Sequence, residues 1–203
     1  HRVTRFVSRQ NLNRMMTAEV KTPYRLHPLK VMIWLAIAAM IMLFAAFTSA
    51  VLVRKAQGNW QEFRIPNIFW LNTVIIVLSS LTMQWAVNAF RKFELNKYRI
   101  AITGTFVLGC LFLIGQGIGW AQLSAGGIHL DGNPSGSYLR VITYTHAAHI
   151  GGGLLIMLFG VLRAFFRPFN PNRLVNVQVM ATYWHFVDFL WIYLFIFFQI
   201  NLA

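Results

Sequence analysis

Five apolar stretches dominate this chain, each at or above the ~20 residues that an α-helix needs to cross a bilayer. They run from about 31 to 53, 67 to 90, 100 to 123, 141 to 162 and 177 to 200. Only 11% of the residues are charged and 57% are hydrophobic, too little charge for the surface of a soluble domain of 203 residues. No period-2 alternation appears, which sets aside a membrane β-barrel. The expected fold is all-α, a polytopic transmembrane bundle of five spans over residues 31–203, behind a basic segment over residues 1–30.

The net charge of +13 would suggest nucleic acid if the basic residues were not so unevenly placed. Fourteen of the eighteen fall before the first span, between spans two and three, or between spans four and five. The opposite side holds only Arg54, Lys55, Arg64 and Arg140. By the positive-inside rule the N-terminus is expected inside and the C-terminus outside. The basic face then reads as an anchor to anionic headgroups, and no nucleic-acid partner is expected. Residues 1–30 mix arginines with Phe6, Leu12 and Met15, which suits a segment lying along the membrane surface or a loosely ordered tail. No cleavable leader pattern is visible at the start. The single cysteine, Cys110, excludes a disulfide framework and reads as a small packed residue. The longest loop is expected over about Ser124 to Arg140, where Gly126-Gly127, Asp131-Gly132-Asn133-Pro134 and Ser135-Gly136 are turn residues.

The spans carry few polar groups, and these are the candidate functional residues. The fifth has Tyr183-Trp184-His185-Phe186-Val187-Asp188, an imidazole and a carboxyl one turn apart. A mid-span acid costs at least ~2.5 kcal/mol to insert, so a partner or a function must offset it. In the fourth span His146, His149, Gly153 and Gly160 share one helical face, and the glycines let a neighbouring helix approach closely. The third span has Gly115 and Gly119 at GxxxG spacing, with Gln116 beside them. Counting ~1.5 Å per residue, His149 and Asp188 fall at similar depth, and pairing would relieve each other's burial. Three readings stay open for His146, His149, His185 and Asp188: haem or metal ligation, a proton relay, and a buried polar cluster that fixes packing.

The run from Tyr183 to Asp188 followed by Trp191 resembles the closing signature of subunit III of haem–copper oxidases. His146 and His149 ahead of Gly151-Gly152-Gly153 resemble that family's penultimate helix. Leu71-Asn72-Thr73 with Trp85-Ala86, and Leu108-Gly109 with Gln116, match earlier helices in the right order, so the likeness covers about residues 25 to 203. Many family members have seven spans, the first two set apart from the other five by a lipid-filled cleft. This chain looks like the five-span form.

The resemblance implies an accessory subunit of a proton-pumping terminal oxidase, a bacterial inner-membrane protein binding no cofactor of its own. Haem and copper would belong to subunit I and other partner subunits. It also implies bound phospholipid, with Arg163 and Arg173 at the positions that hold headgroups. One departure is plain: the family commonly has a buried glutamate on the first of these five helices, and here the position falls near Ala39. Any proton-related role of that glutamate does not carry over. Two other classes remain as alternatives, a haem-carrying membrane cytochrome using the intramembrane histidines and a proton-coupled carrier.

Overall fold

The computed structural model describes residues 28–58, 60, 65–127, 133–168 and 170–201, so most of the basic N-terminal segment lies outside the described residues. Among the described residues five helices are long and apolar enough to cross a membrane. They are α1 (Pro28–Ala56), α2 (Ile68–Arg91), α3 (Leu95–Ala125), α4 (Pro134–Phe166) and α5 (Leu174–Asn201). All but α2 run past their expected apolar spans at both ends, into polar and basic residues that belong at a headgroup boundary.

The long loop expected over Ser124–Arg140 is mostly helix instead. Helix α3 continues to Ala125 and α4 already starts at Pro134. Asn133 caps α4 by accepting from the Ser135 amide at 3.1 Å, and Pro134 occupies the first turn, where no amide hydrogen is needed. Arg140 therefore sits inside a helix, buried, with its guanidinium donating to the Ser124 hydroxyl at 2.6 Å. Between α2 and α3 the chain turns in three residues. Phe93 takes φ 60, and the Glu94 amide closes back on the Ala89 carbonyl at 3.0 Å. This is a helix-ending arrangement that usually selects glycine.

Helices α2, α3, α4 and α5 form a closed ring in which each packs on its two neighbours, while α1 packs on α4 and α5 alone. Small residues set the closest approaches. A Cβ on Gly115 would overlap the Asn72 amide, and one on Gly119 would come within 2.8 Å of Phe69, so the GxxxG face of α3 is pressed against α2. On α4, a Cβ on Gly153 would lie 2.8 Å from Tyr183, and Gly160 faces Met180 and Ile102. The glycine face read in the fourth span is thus the face turned to α5 and α3.

Side-chain hydrogen bonds tie the ring at several depths. Thr82 and Thr105 hydroxyls meet at 2.9 Å between α2 and α3. Trp120 donates to Thr143 at 3.0 Å between α3 and α4, and the Tyr183 hydroxyl donates to the His149 carbonyl at 2.9 Å between α5 and α4. Between α5 and α2, Trp184 donates to Ser79 and Trp191 to Thr73. Such bonds are worth about 0.6 kcal/mol each inside a membrane protein, so they align helices more than they drive association. Where α1 and α5 finish, Lys55 and Trp60 both donate to the Asn201 carbonyl, at 3.0 and 3.2 Å, fastening α1 to the end of α5.

Candidate functional site

Two features stand out, a cluster of buried polar side chains and a groove with a basic mouth. The polar residues do not form one site. His146 is fully buried, its ring stacked on Trp191 at 5.4 Å, with Phe44 and Phe112 edge-on at 6.1 and 6.2 Å. Neither ring nitrogen has a hydrogen-bond partner among the described residues. His149, one turn along, is half-buried and donates from Nδ1 to the Thr145 carbonyl of its own helix at 2.7 Å. The two imidazoles therefore turn to different neighbours.

His185 and Asp188 belong to another part of the ring. Nδ1 of His185 shares a 2.6 Å hydrogen bond with the Ser80 hydroxyl of α2. Asp188, one turn further along α5, is buried, and neither of its oxygens has a hydrogen-bond partner among the described residues. The expected pairing of His149 with Asp188 does not form: the one ion pair among the described residues is Lys97–Glu94, at 3.1 Å on the surface. Depth alone had suggested the pair, but His149 satisfies itself locally.

Ser80, Asn72 and Gln116 are the residues the polar pattern had not singled out as site members. Asn72 and Gln116 are fully buried, and their amides have no hydrogen-bond partner among the described residues. The available signal was their presence as uncharged hydrogen-bonding groups in mid-span. Such residues are costly unless they face the bundle interior. Ala39, near which the resemblance sets the glutamate common in the family, is exposed on α1.

The groove, of about 780 Å³, runs between α1, α4 and α5 and reaches the start of α3. Its walls are apolar, with Ile33, Ile156 and Met180, and its floor is Gly153, Gly160 and Trp184. The two glycines let α4 sit close against α5 and α3 at this point, since a Cβ there would meet Tyr183, Ile102 or Met180. The short 3-10 turn Pro171–Arg173, capped by the Asn170 side chain accepting from the Asn172 amide, brings Arg173 to the mouth. Arg163 comes to the same mouth from the last turn of α4. Arg99 and Arg167 join them. Arg99 is fixed by donating from Nε to the Ala164 carbonyl at 2.8 Å and by lying 5.4 Å over the Phe165 ring. Neither had been marked out beyond its contribution to the basic side.

The whole bundle, with residues beyond it, has known relatives. Residues 16–201 match the family profile described as cytochrome c oxidase subunit III. This chain belongs to the cytochrome c oxidase subunit III family. A cytochrome c oxidase subunit 3 of Corynebacterium diphtheriae is 32% identical over 158 residues, covering 76% of this chain and 77% of the relative. A probable cytochrome c oxidase subunit 3 of Nocardia farcinica is 32% identical over 202 residues, covering 89% and 97%. A cytochrome c oxidase subunit 3 of a Bacillus species (strain PS3) is 26% identical over 167 residues, covering 80% of each. The subunit III family thus accounts for the closing signature on α5, and the membership is carried by nearly the full length of both chains.

Proposed function

We propose that this chain is the non-catalytic subunit III of a proton-pumping haem–copper oxygen reductase, stabilising the haem-bearing subunit I and holding structural phospholipid. In this reading it is an integral protein of a bacterial inner membrane, with the basic end of the bundle on the cytoplasmic side. It supplies no ligand to haem or copper, which partner subunits carry.

The observation that carries the reading is the groove. Its interior is largely apolar, which suits acyl chains, and four arginines meet at its mouth at one end of the bundle. Guanidinium groups bind phosphate through paired hydrogen bonds, which suits a phospholipid seated head-outward. The hydrogen bonds that buried Ser79, Thr105 and Thr143 make between helices fit a scaffold.

The test is purification of the intact complex with its retained lipid counted by mass spectrometry. Changing Arg163 and Arg173 together to Ala should lower the number of tightly bound phospholipids while haem content stays constant. An unchanged lipid count would leave these arginines as topology signals only. A chain that copurifies with no haem-bearing subunit would overturn the reading altogether.

A further inference from the structure

Most of the outward surface of the bundle is apolar within the spans, as Met42 on α1, Ile114 on α3 and Leu155 on α4 illustrate. One strip departs from this. On α2, Ser80 and Gln84 lie one turn apart, and on α5, Gln178, Thr182 and His185 recur at helical spacing. The bonds from Ser80 to His185 and from Trp184 to Ser79 set the two antiparallel helices in register, which brings Gln84 level with about Met180. These polar side chains therefore share one seam, in the half of the bundle nearer the basic end. Gln84 is exposed, while Ser80, Gln178, Thr182 and His185 are half-buried.

Depth makes the seam unusual. Gln84 lies roughly 7 Å from the centre of α2, at ~1.5 Å per residue. That is well inside a hydrocarbon half-layer of about 15 Å. Among the described residues its one hydrogen bond is a long 3.4 Å contact to Asn88. Acyl chains offer neither donors nor acceptors, so lipid against this seam would leave the exposed Gln84 amide largely unsatisfied, at a heavy cost.

Resting on the reading of this chain as an oxidase subunit, we propose that the α2–α5 seam docks a transmembrane helix of another oxidase subunit, one presenting a hydrogen-bonding side chain at the depth of Gln84. A polar residue from a second helix is what compensates such groups in hydrocarbon, by hydrogen bonding across the contact. Leu81 and Phe189, both strongly exposed beside the seam, supply its apolar rim.

A photoreactive amino acid placed at Leu81 or Phe189 in the intact oxidase, still in its membrane, tests the proposal, with the same probe at Leu155 setting the background. The expected result is a covalent adduct between this chain and another membrane subunit, well above that background. Adducts with lipid alone, or between two copies of this chain, overturn it. Haem copurification measured on the same samples separates the two levels: a complex that holds together while the seam captures only lipid refutes the seam and spares the oxidase reading. A chain that copurifies with no haem refutes both. In a second arm, Gln84→Leu, which removes the exposed amide and keeps the helix apolar, should lower the fraction of chain retained with the haem-bearing subunit in detergent. The loss should be roughly three-fold, as for one interhelical hydrogen bond in a membrane; unchanged retention counts against the seam.

Discussion

The Ser80 hydroxyl lies 2.6 Å from Nδ1 of His185, two residues that are 105 positions apart in the chain. The adjacent Ser79 accepts the Trp184 indole N–H at 2.8 Å, so two consecutive serines meet two consecutive aromatic side chains of α5. Removing the first of these bonds should weaken the α2–α5 contact. Ser80→Ala, His185→Phe and the double change form a cycle whose coupling energy should be about 0.6–1.7 kcal/mol. Thermal midpoints of the purified complex in detergent measure it; additive effects would mean the bond contributes nothing.

Gly115 and Gly117 make a matched pair, two residues apart on α3. A Cβ at Gly115 would run into the Asn72 amide, whereas one at Gly117 would meet nothing within 4 Å. Gly115→Ala should destabilise the bundle by about 1–3 kcal/mol through overpacking. Gly117→Ala should be neutral or mildly stabilising, since alanine is the better helix former. Equal midpoints for the two variants would contradict the α2–α3 packing described above.

Asp188 is buried, and neither of its oxygens has a hydrogen-bond partner among the described residues, so an amide should serve there as well. Asp188→Asn should assemble normally, with a thermal midpoint equal to or above that of the parent. A large fall in the midpoint would reveal that the carboxylate is paired across a subunit boundary. If the variant assembled but the complex lost proton pumping, the relay reading of this residue would regain its standing.

The far end of the bundle offers a fourth test. Lys55→Met with Trp60→Phe removes both donors to the Asn201 carbonyl while keeping bulk. Hydrogen exchange should then rise in the last turn of α5 and stay unchanged near Trp184. Identical exchange at both places would mean that the two donors do not hold the helix end.

The helices and their small-residue faces were legible because length, apolarity and glycine spacing are local properties. Gly153 and Gly160 on one face of α4, and Gly115 and Gly119 on α3, end up where their spacing put them, against other helices. The polar partners were not legible. Ser79 and Ser80 are neighbours pointing to different places, and only the α2–α5 register decides that one receives Trp184 and the other His185. His149 shows the opposite failure: similar depth to Asp188 suggested a long-range pair, but a carbonyl four residues back was nearer. The basic pattern marked the side on which Arg99 and Arg167 lie, yet their meeting with Arg163 and Arg173 depends on how α3, α4 and α5 converge.

Among the described helices α1 packs only on α4 and α5, which are made after α2 and α3. Until α4 follows, α1 has none of these partners, although α2 and α3 can already pair. Its contacts through Phe44 with His146 and His149 close once α4 is made, and that of Thr48 with Tyr193 once α5 follows. A chain cut short before α5 would keep the α2–α3 pair and lose much of the seat for α1. Helix α5 is therefore a checkpoint on biogenesis: its arrival lets α1 settle and completes the groove.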